Sequence, residues 1–99
     1  MSNIASAIKA TEAALEKGDY GICIKIIDPL LLDFQAETEI GGQLRLLIVT
    51  AYMGKGDEQK AINICQTLIH NKEESIRQQA NSFYQYLTLH VYQNHQTGR

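Results

Sequence analysis

The 99-residue chain has a single proline and seven glycines, too few for the composition of a disordered or linker-like segment. It also lacks an excess of basic residues. Nine Lys and Arg stand against eleven Asp and Glu, so the formal net charge is −2 and no basic field attracts a phosphate backbone. A chain of this length has room for one modest core. We therefore expect one domain over residues 1–92 that does not bind nucleic acid.

Long hydrophobic runs are missing as well. The longest, residues 26–32 and 46–49, fall far short of the roughly 20 residues that a membrane-spanning helix needs. The N-terminal residues lack the basic start and apolar stretch of a signal peptide. The sequence therefore predicts no membrane insertion and a cytoplasmic setting.

Residues that carry enzymatic or metal chemistry are few and show no recognisable spacing. Cys23 and Cys65 have no CxxC spacing, and we expect two reduced, buried thiols, with a disulfide or a metal site as the alternatives. His70, His90 and His95 form no HExxH or Cys/His pattern and are predicted to lie at the surface. The acidic residues fall at helix caps and solvated faces, so no acid/base pair stands out. We predict no catalytic, cofactor-binding or metal-binding residues, and no enzyme.

Hydrophobic residues recur at three- and four-residue steps in five segments, which predicts five helices. The first covers about 14 residues from Ile4, and the second begins at Tyr20 and either kinks or ends early at Pro29. A polar loop over residues 33–38 leads to a third helix that starts near Thr38, and a fourth ends near His70. The fifth is expected to begin with a capping box from Asn71 to Glu74. The tail, residues 93–99, is expected to fray.

A Gly-Asp pair occurs twice, as Gly18-Asp19 and Gly56-Asp57, each time between two predicted helices. A glycine in the left-handed conformation commonly ends a helix, and an aspartate can cap the next one by accepting a backbone N–H. When the two glycines are aligned, small and large apolar residues coincide at the same offsets: Leu15 with Met53, Ala13 with Ala51, Cys23 with Ala61, Ile26 with Ile64, Ile27 with Cys65, and Leu30 with Leu68. The segment therefore reads as two helical hairpins of one kind.

This pattern resembles the tetratricopeptide repeat, in which an apolar residue closes helix A, a Gly-Asp turn follows, and helix B carries an early aromatic residue such as Tyr20. The resemblance implies a right-handed array of two hairpins and a C-terminal capping helix. The repeats are degenerate: the glycines are 38 residues apart against a family period of 34, and Thr11 and Val49 replace the family's glycine in helix A. Residues 41–56 are also similar to a segment of small tetratricopeptide-like proteins of cyanobacteria and plastids, which implies a cytoplasmic or stromal setting.

In that family the A helices line a concave groove. When the groove-lining positions of the family's A helices are carried over to this sequence, the groove candidates are Glu12, Gln43, Leu46, Thr50, Met53, Arg77 and Tyr84. The positions that grip acidic C-termini in one subgroup are here Ile8, Glu12, Leu46 and Thr50, so the groove is not expected to be a carboxylate clamp. It suits an amphipathic helix or an extended apolar peptide, although the same side chains can simply pack against a neighbouring helix.

Two further features bear on partners. Arg45 lies in an apolar stretch and either pairs with a nearby glutamate at the surface or anchors a partner's carboxylate. Tyr84, Leu89 and Tyr92 on the fifth helix are interface candidates that would also allow a homodimer. The sequence thus predicts a non-catalytic adaptor, assembly or scaffold factor. A self-associating structural module and a bundle that binds a small molecule or lipid are the alternatives.

Overall fold

A computed structural model describes the backbone of residues 4–97 and the side chains of residues 4–92. Within these residues the fold is all α and contains no strand, as predicted. The α-helices are α1 (Ile4–Lys17), α2 (Tyr20–Ile27), α3 (Glu39–Lys55), α4 (Glu58–Gln66) and α5 (Glu74–Thr97), and a 3-10 helix, η1 (Asp28–Leu32), follows α2. The first helix has the predicted 14 residues.

The two Gly-Asp turns have nearly the same geometry. Gly18 and Gly56 adopt φ values of 77° and 84°, in the left-handed region that favours glycine. In each turn the glycine N–H donates to a carbonyl three residues back at 3.1 Å, and the aspartate N–H donates five residues back at 2.9 Å. This pair of hydrogen bonds is a Schellman motif, and it closes α1 and α3 in the same way.

The predicted capping by the aspartate side chains is wrong. Neither Asp19 nor Asp57 makes a side-chain hydrogen bond to the helix that follows. Their ψ values of 66° and 69° differ from the extended ψ of 160° at Thr38, whose hydroxyl accepts the N–H of Gly41 at 3.0 Å. A capping residue needs that extended backbone to place its oxygen over the first turn.

Pro29 ends an α-helix and does not kink one. The α-helical hydrogen bonds of α2 stop before it, and the chain tightens into η1 with Pro29 in its first turn, where a missing N–H costs nothing. The fourth helix also ends earlier than predicted, at Gln66. The turn that follows it is closed by hydrogen bonds from the N–H groups of Thr67 and Leu68 to Ile64 and Cys65.

The central helix, α3, contacts each of the other helices, and α1 and α5 both lie against it. Its inward side chains are completely buried, which makes it the core of the molecule: Leu44, Ile48, Val49 and Ala51. Around it pack buried residues of α2, α4 and α5: Cys23, Ile27, Ala61, Ile62, Cys65, Ile76, Ala80 and Leu87. No helix within residues 4–97 is both long and apolar enough to span a membrane.

The start of α5 is fixed by Asn71, but not through the predicted capping box. The helix begins at Glu74, and the Asn71 side chain, 1% exposed, accepts the N–H of Glu73 at 2.8 Å. Its amide group donates to the carbonyls of Ala36 and Thr38 at 2.7 and 2.8 Å. The prediction failed because the segment before α5 is held by a loop 35 residues away in sequence, not by its own first turn.

The Gly41-Gly42 pair, which weakens the start of α3 as a helix, is required by packing. A Cβ at Gly41 would overlap the carbonyl of Gln35, and one at Gly42 would overlap the Asn71 amide and crowd Ile76. The two glycines therefore let the 33–38 loop and the start of α5 lie directly on the α3 backbone.

The predicted frayed tail, residues 93–99, falls largely on α5. The helix continues through Thr97, and residues 98 and 99 lie outside the described residues. The helix is thus 24 residues long, and it is the longest of the five.

Replacing Asn71 with alanine tests the link between the 33–38 loop and α5. The variant leaves two carbonyls without their donor, and we expect the free energy of unfolding to fall by about 1–3 kcal/mol in chemical denaturation. Asn63→Ala is the matched control, because the Asn63 side chain is exposed and accepts a hydrogen bond from the exposed Gln59 side chain; it should change stability by no more than about 0.5 kcal/mol. Equal effects of the two substitutions would contradict the assigned role.

Candidate partner-binding groove

The side-by-side helices α1, α3 and α5 leave a groove between them. Its first part is an open depression of about 390 Å³ lined by Ile8, Glu12, Gln43, Leu46, Leu47, Thr50, Ser75, Ile76, Gln79 and Phe83. An adjoining part of about 640 Å³ is lined by Met53, Ser75, Gln78, Gln79, Ser82, Phe83 and Tyr86. Because both parts share Ser75, Gln79 and Phe83, they form one continuous surface, called the groove below.

Five of the seven predicted groove candidates lie there. Glu12, Gln43, Leu46 and Thr50 line the first part, and Met53 lines the second. Arg77 and Tyr84 do not lie in the groove. They line a separate cleft of about 270 Å³ between α4 and α5, together with Cys65, Gln66, Ile69, Ala80 and Asn81.

The misplacement of Arg77 and Tyr84 comes from the rotational register of α5. Successive residues of a helix point in directions 100° apart. The helix A pattern of the repeat was extended to α5 across residues 67–73, and an error of two residues there moves a predicted side chain to the opposite side of the helix. The groove residues that were missed are Ser75, Gln79, Phe83 and Tyr86. The sequence contains a signal for two of these missed residues. In α3 the groove residues Gln43 and Leu47 each come one position before a buried apolar residue, and in α5 Ser75 and Gln79 do the same.

The groove has an apolar floor and a neutral polar rim. Partly buried side chains from the three helices form the floor, among them Ile8, Leu46 and Phe83. Gln43 and Gln79 are exposed at its edges and offer both donors and acceptors. Glu12 is the one formally charged side chain among the described residues that line it. Such a surface can bury apolar side chains of a ligand and hydrogen bond to its amide groups.

The predicted interface residues on α5 differ in exposure. Leu89 and Tyr92 are 56% and 60% exposed, whereas Tyr84 is half-buried against the cluster of Val49, Ala61 and Leu87. Tyr86, which was not singled out, is exposed and stacks on His90, with ring centroids 5.8 Å apart.

The described histidines include one that contacts a carboxylate. His90 Nδ1 lies 2.5 Å from Glu58 Oε2, so the contact ties α5 to the start of α4 when the imidazole is protonated. His70 is exposed, and the side chain of His95 lies outside the described residues. Among the side chains of residues 4–92, no group of three or more His, Cys, Asp or Glu is placed to hold a metal ion.

Both cysteines are free, buried thiols, so the alternative of a disulfide between them does not hold. Burial raises the pKa of the Cys65 thiol from its ordinary value of 9.0 to about 11. Burial also raises the pKa of Cys23, whose Sγ donates to the Thr11 carbonyl at 3.5 Å. A thiol that stays protonated at neutral pH is a poor nucleophile and a poor metal ligand.

Arg45 forms no ion pair within 4 Å of a glutamate among the described residues, and its guanidinium binds backbone carbonyls; its role as an anchor for a partner's carboxylate stays a prediction. Nη1 donates to Phe34 and Gly41 at 2.6 and 3.0 Å, and Nη2 donates to Leu31 at 3.3 Å. Burial lowers the pKa of Arg45, and the charge of Glu37 opposes this shift. The side chain fastens η1 and the segment after it to α3.

Comparison of the chain with models of known protein families, with curated proteins and with solved structures gives no match.

Removing the Arg45 side chain should destabilise the fold without weakening ligand binding. Arg45→Ala loses charge-assisted hydrogen bonds to three carbonyls, and we expect a loss of about 1.5–3 kcal/mol in the free energy of unfolding. Arg45→Lys should recover only part of this loss, because a single ammonium cannot span the same carbonyls. An alanine variant of unchanged stability would refute the assignment.

The raised pKa of Cys65 has a consequence at alkaline pH. The folded chain keeps the thiol neutral up to about pH 11, whereas the unfolded chain ionises it from about pH 9. The contribution of Cys65 to stability is therefore complete below pH 9 and is lost as the pH rises towards 11. Wild type should lose more stability over this range than Cys65→Ala in thermal melts, and identical pH profiles would contradict the shift.

Proposed function

We propose that this chain is a non-catalytic protein-interaction module, an adaptor or assembly factor, that binds a peptide or helix of a partner protein in the groove. The observation that carries the proposal is the continuity of the groove across α1, α3 and α5. A ligand that reached from Ile8 to Tyr86 would contact three helices at once. An extended or helical segment has that shape, and its apolar side chains would cover the floor.

We also propose that α1–α2 and α3–α4 are two degenerate tetratricopeptide-like hairpins and that α5 is the closing helix. The matching hydrogen bonds of the two Gly-Asp turns support this reading. So does the complete burial of Thr11 and Val49 at the positions where the family has glycine. A right-handed array and a cytoplasmic or stromal setting belong to the same proposal, which rests on sequence resemblance.

The polarity of the groove favours a peptide over the alternative ligands. A small molecule or lipid needs an enclosed apolar pocket with a few converging polar groups. The groove is open along its length, and its polar residues, such as Gln43 and Gln79, are spread along the edges where a peptide backbone would pass.

Selection from a displayed library of random peptides tests the proposal directly. Purified wild-type chain should enrich peptides with apolar residues at helical or alternating spacing, and their affinity can be measured by fluorescence anisotropy. Gln79→Trp fills the groove from an exposed position and should weaken binding by at least about tenfold, equal to about 1.4 kcal/mol.

Gln59→Trp is the matched control, because Gln59 is an exposed helical glutamine on α4, away from the groove. It should bind the selected peptides with wild-type affinity. If the library yields no binder, or if both tryptophan variants bind alike, the groove is not a peptide site. A small apolar compound that raises the melting temperature of wild type but not of Gln79→Trp would favour the small-molecule alternative.

A further inference from the structure

The longest helix of this chain has almost no charge. From residue 78 to residue 98 the sequence contains no Asp, Glu, Lys or Arg, although these residues make up 20% of the chain. In α5 the charged residues, Glu74 and Arg77, are confined to the first turn, whereas the four other α-helices carry exposed charges such as Lys9, Lys25, Glu39 and Lys60. Depletion of charge on an exposed surface is typical of the centre of protein interfaces.

One side of α5 is exposed over residues 78–92 and lies opposite the buried face of the helix, with Gln78 at the edge of the groove. Its residues recur at three- and four-residue steps, which places them on one helical face, and all are exposed: Gln78, Asn81, Gln85, Leu89 and Tyr92. This set is called the outer face below. It combines amide side chains with a leucine and a tyrosine, which are 56% and 60% exposed.

We propose that the outer face of α5 binds the outer face of a second copy of this chain in an antiparallel pair. In a two-fold interface every residue must be compatible with its own symmetry mate or with a neighbour of that mate. A charged residue near the axis repels its mate, whereas a carboxamide can donate to and accept from an identical group. The outer face meets this requirement because its residues are uncharged.

The antiparallel arrangement follows from Glu74. This glutamate lies four residues before Gln78 on the same side of α5, and it is exposed in the first turn. A parallel pair would place it beside its own mate and align the two helix dipoles, which is unfavourable. In an antiparallel pair the two glutamates lie at opposite ends.

The spacing of the outer face also fixes the register. Gln85 lies midway between Gln78 and Tyr92, and midway between Asn81 and Leu89. With the two-fold axis at Gln85, that residue meets its own mate and Gln78 lies opposite Tyr92 of the other copy. Because α5 has 24 residues, or about 36 Å at 1.5 Å per residue, the pair buries less than a standard interface and should be a weak, concentration-dependent dimer.

Such a dimer leaves most of the groove uncovered, since Leu89 and Tyr92 lie outside the groove lining and Gln78 is the one outer-face residue that lines it. Each copy would keep its own groove available. A dimer with two grooves would bind a partner with two matching segments more tightly than one with a single segment.

Sedimentation velocity of the full chain over a wide concentration range tests the dimer. Wild type should shift from monomer towards dimer as concentration rises, and Leu89→Glu should stay monomeric because it places a charge against Asn81 of the other copy, where the contact would strip it of water without a partner of opposite sign. Ile22→Glu is the matched control, since Ile22 is 51% exposed and lies on α2, which does not contact α5; it should dimerise like wild type. A wild-type chain that is monomeric throughout, or a control that dissociates equally, overturns the proposal.

Disulfide cross-linking tests the register. Gln85→Cys should form a covalent dimer under mild oxidation much faster than Asn63→Cys on α4, while the native thiols are buried and largely unreactive. Gln78→Cys alone should react slowly, and the double variant Gln78→Cys, Tyr92→Cys should react fast. Cross-linking at the same rate from Gln85 and Asn63 would refute the two-fold pairing, and circular dichroism would establish that each variant is folded.

Discussion

The hydrogen bonds of one buried carboxamide decide how the last helix lies on the rest of the fold. Asn71 donates to two carbonyls of the 33–38 loop and accepts an N–H at the start of α5, so it joins segments that are far apart in sequence. Gly42 makes room for it, because any side chain there would occupy the position of the Asn71 amide. Since the groove needs α5 beside α3, its geometry depends on this contact. A hydrophobic residue at position 71 would leave the loop carbonyls buried without partners.

The features that the sequence predicted correctly are those set by local chemistry. The Gly18 and Gly56 turns, the start of α3 near Thr38 and the limits of α1 depend on backbone preferences within a few residues. Features set by distant contacts were missed. The role of Arg45 depends on carbonyls up to 14 residues away, and the role of Asn71 depends on carbonyls more than 30 residues away.

The groove shows the same division. Its α1 and α3 residues, such as Glu12 and Leu46, could be found because each helix keeps one register from its Gly-Asp turn. The α5 residues were missed because no Gly-Asp pair ends this helix and its rotation is set by Asn71 and by Ile76 packing on Gly42. Arg77 accordingly turned out to donate to the carbonyls of Asn71 and Lys72. Its side chain strengthens the same junction from the α5 side.

The long connection between the two hairpins explains why these polar side chains are needed. The glycines of the two turns are 38 residues apart, and the stretch between them includes the irregular segment after η1, residues 33–38. Carbonyls that leave a helix must still be hydrogen bonded when they are covered. Arg45 binds those of Leu31 and Phe34, and Asn71 binds those of Ala36 and Thr38. The two side chains thus provide the donors that a shorter link would not require, and they turn an irregular segment into a fixed spacer between the helices that form the groove.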